Sequence, residues 1–349
     1  MSDFFVFRSA ALSLFGLSLA VAACSSSSSS SSSGSGTPAA PKTPAPPTVT
    51  LSFPTIPVAA GEEKTQCVVA RLGNSTPMHV GAVHNVLGET SHHLIVYRVN
   101  DTVEQLTPFS CQPFTDTLDP AKGSTIMVTQ KKDDLLQLPP GVAYSFEVNQ
   151  MIRLEMHYIN ASASPKSVTA TSTMIPISDD DFHDEAGFLF IGNPDIKIPP
   201  KSATTLGPTF FQLPQGLSGV KFFAMTGHEH QFGTNVQVAM STTDTDPGKM
   251  IYDVPGWLWS EPKTEVFSTP FTVPDNGGFT FSCSWNNTSD KTVQFGESAN
   301  NEMCFFWAYY YPSQGSRVCF HTSDFGGPGG SDICCPSDPL CNLLINGEH

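Results

Sequence analysis

Six side chains in this sequence have types and spacings that could hold a metal ion. His228-Glu229-His230 lies in Met-Thr-Gly-His-Glu-His-Gln-Phe-Gly. On a strand, residues i and i+2 face the same side, so both imidazoles could grip one ion. Zinc and iron enzymes share that pattern. His92-His93 opens Ser-His-His-Leu-Ile-Val-Tyr. Adjacent strand residues point to opposite faces, so one metal takes both only at a strand end or a distortion. His157 follows Arg153 and Glu155 at alternate positions, which puts all three on one face and Leu154 and Met156 on the other. A carboxylate there, Glu155, would orient the imidazole. Met303 stands in Asn-Glu-Met-Cys-Phe-Phe-Trp. A Met beside an aromatic run reads equally as core packing.

The elements that must position these residues read as strands. Leu94–Val99, Thr125–Thr129, Ile152–Ile159, Lys221–Met225, Asn235–Met240, Gly278–Cys283 and Cys304–Tyr311 are short apolar or β-branched runs bounded by turn residues. No long stretch keeps a helical period, and Pro57, Pro139-Pro140 and Pro199-Pro200 would break one. The expected fold is all-β, with two tandem jelly-roll-like antiparallel β-sandwich domains. The chain has 349 residues, 25 Phe and 39% apolar residues, which excludes a wholly disordered protein. A net charge of −15 excludes the basic footprint of a nucleic-acid binder. Ser178–Glu185 is rich in carboxylates and marks a boundary, either as a solvated turn or as a calcium site. The domains are then 48–178 and 186–349.

Residues 1–23 read as a secretory signal whose apolar stretch is short for a membrane span. Val21-Ala22-Ala23-Cys24 resembles the bacterial lipoprotein cleavage box, which implies lipidation at Cys24. Residues 24–47, a Ser run followed by a Pro/Ala/Thr stretch, form a linker that cannot bury a core. Ser25 follows Cys24 with no Asp retention signal. By analogy with such lipoproteins, this places the protein in the bacterial cell envelope, at the outer membrane and cell surface. Its contact with the membrane is through the lipid anchor alone.

Taken in order, His92, His93, His157, His228, His230 and Met303 resemble the ligand set of the copper type II ascorbate-dependent monooxygenases. The matching segments are His-His-Leu-Ile-Val-Tyr, Leu-Glu-Met-His-Tyr-Ile-Asn, Gly-His-Glu-His-Gln-Phe-Gly, Asn-Glu-Met-Cys and Tyr-Tyr-Tyr-Pro, spread from Gly61 to Pro312. The resemblance implies two coppers. His92, His93 and His157 would hold an electron-transfer copper, and His228, His230 and Met303 an oxygen-activating one across an interdomain cleft. A thioether ligand agrees, since it is soft and selects Cu(I) over zinc, magnesium or calcium. It also implies hydroxylation of a C–H bond in a small-molecule substrate by O2 and a reductant such as ascorbate.

Disulfides Cys67–Cys111 and Cys283–Cys304 are implied too, leaving Cys319, Cys334, Cys335 and Cys341 with three possible pairings. Two departures matter. Thr226 stands where the peptide-amidating branch has a substrate-binding Arg, and Phe305 and Trp307 stand where it has Asn and Tyr. The residues therefore suggest an aromatic or apolar pocket, although Phe305, Phe306 and Trp307 could equally be core. Copper binding without turnover, and an adhesive sandwich with incidental histidines, are the alternatives.

Overall fold

The computed structural model describes residues 42–111, 122–323, 329–336 and 338–341. The expected signal, the lipidation at Cys24 and linker residues 24–41 lie outside the described residues, whereas the last linker residues, 42–47, are described. Every strand-like run named above falls on a strand, and most strands extend beyond the run. The extensions occur where polar residues continue the pleat, as in Gly278–Asn287 and Lys221–His228.

Residues 49–185 build two sheets. One has the order Gln105–Ser110, Glu63–Arg71, Met151–Ile159, Ser91–Val99, Gly123–Thr129. The other joins Val49–Val58, Lys166–Ile177, Met78–Leu87, Val142–Phe146 and Asp184–Glu185, with Asp133–Gln137 also paired to Met78–Leu87. Leu94, Val96, Leu154 and Met156 are fully buried, on the face where alternation places them, in a core shared with Phe53, Val80 and Met174.

Residues 187–335 build a six-stranded sheet, in the order Glu265–Phe271, Lys221–His228, Phe305–Tyr311, Gly187–Gly192, Arg317–Thr322, Ser331–Cys335. A four-stranded sheet of Ser202–Gln212, Gly278–Asn287, Gly233–Ser241 and Lys249–Asp253 covers one of its faces. Most pairings are antiparallel; Gly187–Gly192 runs parallel to Arg317–Thr322. At the carboxylate-rich boundary, Asp179–Asp181 forms a 3₁₀ turn capped by Ser178. Asp181 pairs with Lys42, Asp180 accepts from the Thr43 N–H, and Glu185 pairs with Arg98, so these acids are engaged by the protein's own donors.

The six-stranded sheet is apolar on both faces. Phe306, Ala308 and Tyr310 face the four-stranded sheet, in a core with Leu189, Ile191 and Phe279. Phe305, Trp307 and Tyr309 face the other way and join Phe188, Phe190 and Phe223 in the core of the first half. A strand apolar on both sides must be covered on both sides. That requirement presses the second half's sheet against the first half. The Val128 N–H donates to Tyr309 Oη at 3.2 Å across this contact.

Candidate metal centre

His93 stands directly opposite His157 in the antiparallel pair of Ser91–Val99 with Met151–Ile159. The register then slips: Ser91 pairs with Tyr158, one residue beyond His157, and His92 is the extra residue of a β-bulge. A bulge of this kind re-aims a side chain. It is the distortion that brings adjacent histidines close enough to offer ligand atoms to one ion. The ring centroids lie 5.4 Å apart for His92–His93, 5.2 Å for His92–His157 and 5.0 Å for His93–His157. One ligand atom from each lies within 4.8 Å of the others.

His228 ends the Lys221–His228 strand, and His230 lies two residues on, with ring centroids 5.1 Å apart. Met303 immediately precedes Cys304, whose disulfide to Cys283 ties it to the Gly278–Asn287 strand. The residues before Met303 hold His230. The Asn301 carbonyl accepts from His230 Nδ1 at 3.2 Å, and Glu302 Oε2 accepts the His230 backbone N–H at 2.8 Å. Glu302 also accepts from the Phe232 N–H and from Trp285 Nε1. Its place beside Met303 is visible in the sequence, but its bonds to three donors depend on tertiary contacts.

His93, His157, His228, His230 and Met303 all line one cavity of about 40 Å³ between the halves. The sequence reading sets the two trios across a cleft. The structure instead brings His92 and His230 to a centroid separation of 6.0 Å, with Trp259 over His92 at 5.5 Å. The cause is the buried outer face of the six-stranded sheet, which leaves no room for a cleft at this depth. Of the three aromatics considered for the pocket, only Trp307 lines the cavity. Phe305 stacks on Phe190 at 4.9 Å, and Phe306 points into the second half's own core.

The orienting partners differ from the expected one. Alternation along the strand points to Glu155 for His157. In the structure His157 Nε2 donates to Glu63 Oε1 at 3.0 Å, while Glu155 Oε2 accepts from Tyr97 Oη at 2.7 Å. Glu63 lies on the neighbouring strand, two residues from Thr65, which pairs with His157. Side chains two apart share a face, so a diagonal neighbour reaches the imidazole. Only the register of that pairing discloses it. Gln130, from the first half, accepts from His228 Nδ1 at 2.9 Å.

The donor set fits copper. With Nδ1 of His228 and His230 bonded to acceptors, Nε2 of each carries the free lone pair. The Nε2 atoms of His92 and His93 are buried without a hydrogen-bond partner. Buried polar atoms are normally satisfied, so orphaned imidazole nitrogens in a cluster are suited to a metal. Burial, reinforced by the neighbouring imidazoles, holds His92, His93 and His228 well below the usual histidine range. His230 is pushed down to about 4 for the same reasons. All four are neutral near pH 7, the form that ligates metal. Glu63 is pulled down to about 2, first by its bond to His157 and then by the loop donors Ala299 and Ser298, against the effect of burial. Behind the site, burial and the nearby Glu302 push Glu229 up to about 10, and burial pushes Glu302 up to about 7.

Residues 184–326 match the family described as copper type II ascorbate-dependent monooxygenase, C-terminal domain. This part of the chain is similar to that family. The matched span contains His228, His230 and Met303 together with Cys283 and Cys304. The first trio lies outside it. Among solved structures, dimeric latent PorU from Porphyromonas gingivalis aligns at 10% identity with a TM-score of 0.18, over 80% of this chain and 30% of that one. The chain spans less than a third of that structure, and a likeness so low carries no argument. The disulfides Cys67–Cys111 and Cys283–Cys304 are both present, and the C-terminal four pair as Cys319–Cys334 and Cys335–Cys341.

Proposed function

We propose that the protein is a copper-dependent monooxygenase that hydroxylates a C–H bond of a small organic substrate, using O2 and an ascorbate-like reductant. The observation that supports this most is that His228, His230 and Met303 line one cavity with His93 and His157, two members of the His₃ cluster completed by His92. His228, His230 and Met303 would hold one copper, and His92, His93 and His157 a second. Bound there, copper would supply the redox chemistry of O2 and the electron for the second half of the turnover.

The chain's own residues place and tune those ions. Gln130 and the Asn301 carbonyl fix the tautomers of His228 and His230, leaving Nε2 of each as ligand atom. Met303 adds a soft donor that favours the reduced metal. The apolar walls, Ile95, Val128, Phe190 and Trp307, exclude water from reactive species. A volume of about 40 Å³ admits a few water-sized molecules, so a larger organic substrate requires the cavity to widen. No cation replaces the Arg of the peptide-amidating branch at Thr226, which argues for a substrate without a carboxylate to clamp. We further propose that Cys24 is lipidated and that the Ser/Pro-rich linker holds the domains off the envelope surface.

Oxygen uptake tests the reading. Copper-loaded protein should consume O2 with ascorbate and a small apolar substrate. Met303→Ala should reduce uptake at least 100-fold while the protein stays folded and keeps copper on the His₃ set. Unchanged uptake in Met303→Ala would refute the catalytic assignment. The small cavity favours a second reading, copper binding without turnover. That reading predicts copper reduction by ascorbate with no O2 consumption for any substrate.

A further inference from the structure

Glu63 occupies a position that no ligand motif points to. It sits on Glu63–Arg71, in the first half, with its side chain 23% exposed. Oε1 accepts from His157 Nε2 at 3.0 Å and from the Ala299 backbone N–H at 2.9 Å. Oε2 accepts from Ser298 Oγ at 3.0 Å. Ser298 and Ala299 belong to the second half, in the turn that closes through the Asn301 N–H on the Ser298 carbonyl and leads into Met303. One carboxylate therefore bonds a histidine of one trio and the loop that delivers the thioether of the other. Gln130 makes the reciprocal link, from the first half to His228 in the second.

We propose that Glu63 is a positioning residue that couples the two trios, orienting His157 and seating the Met303 loop through the same carboxylate. The inference rests on the copper reading above. Its physical content is a shared constraint. An imidazole ligating through Nδ1 directs its Nε2–H along a fixed line. Glu63, held by that donor, presents both oxygens to the Ser298–Ala299 turn in one geometry. Without it, two polar loop groups lose their acceptor and the turn has no fixed seat against the first half. Order at His157 thus becomes order at Met303, and the coupling is reciprocal.

The test uses full-length protein loaded with Cu(I), with no substrate and no turnover. X-ray absorption reports the copper–sulfur contribution of Met303, a competition titration reports affinity at the His₂Met set, and EPR after oxidation reports the His₃ set. Glu63→Ala should alter the EPR of the His₃ set. It should also diminish the sulfur contribution and weaken Cu(I) at the His₂Met set by about 10- to 100-fold. Glu63→Gln keeps Oε1 as acceptor for His157 and Ala299 and should restore most of both signals. Glu63→Asp keeps the charge but, one methylene shorter, cannot reach both partners, and should behave like the Ala variant. It decides the matter if Glu63→Ala does not fold. A normal sulfur contribution and Cu(I) affinity in folded Glu63→Ala or Glu63→Asp would overturn the coupling and leave the copper reading intact. Absence of the sulfur contribution in the unmodified protein would overturn the copper reading, and this inference with it.

Discussion

Four imidazoles, those of His92, His93, His228 and His230, are kept neutral by burial, and that has a consequence for acid stability. Their folded pKa values lie below the ordinary value near 6.5, with His230 at about 4. As pH falls below 6.5, the unfolded chain takes up protons that the folded chain refuses. Stability therefore drops with falling pH through the window from 6.5 to 4. His230 alone accounts for about 3 kcal/mol of that loss. Copper-free protein should show a thermal midpoint that declines steeply across this window. Copper loading should move the decline to lower pH, because the ion competes with protons for the same lone pairs. A flat profile without copper would contradict the burial of these rings. At this scale the sequence displayed the ligand types and their order, but not the second partner of each ring. Gln130, Glu63 and the Asn301 carbonyl are 98, 94 and 71 residues from the histidines they bond.

Strands supply the geometry that the side chains exploit. The bulge at His92 turns an alternating pair into a converging pair. Gly192, at the end of Gly187–Gly192, performs a comparable service for the other half. A Cβ there would lie 1.8 Å from the Phe305 ring, whose strand begins two residues after Met303. Gly192→Ala should therefore displace Phe305 and destabilise the protein by about 1–3 kcal/mol, read as a lowered thermal midpoint. If copper ligation by Met303 depends on that strand's position, the copper–sulfur contribution should weaken in the same variant. Strand existence was legible, since each apolar run from Leu94–Val99 to Cys304–Tyr311 is strand-length and bounded by turns. The bulge was legible only as a condition. Two adjacent histidines on one ion demand a distortion, but a strand's sequence does not state its partner's register.

For the whole molecule, the decisive feature is a sheet buried on both faces. Trp307 and Tyr309 close the contact between halves, and Phe306 and Tyr310 close the core behind it. The Cys283–Cys304 disulfide bridges 21 residues and fastens the end of the Met303 segment to the outer sheet. Replacing both cysteines by Ala should cost about 3 kcal/mol by the chain-entropy estimate. It should also loosen Met303, so that Cu(I) affinity at the His₂Met set falls further than at the His₃ set; equal loss at both would argue against a local anchor. The resemblance pointed to this pair, whereas Cys319–Cys334 and Cys335–Cys341 were among three open pairings that only proximity resolves.

Taken alone, the amino-acid sequence determined the all-β class, the strand runs and the chemical nature of the six candidate ligands. Those properties are local, set by alternation, turn residues and side-chain chemistry. The tertiary structure decided that His93 and His157 share one small cavity with His228, His230 and Met303, that His92 bulges, that Glu63 rather than Glu155 bonds His157, and that Phe306 is core while Trp307 lines the site. Each of those outcomes depends on strand register and on which apolar face must be covered, and both are set by pairings between residues far apart in the chain.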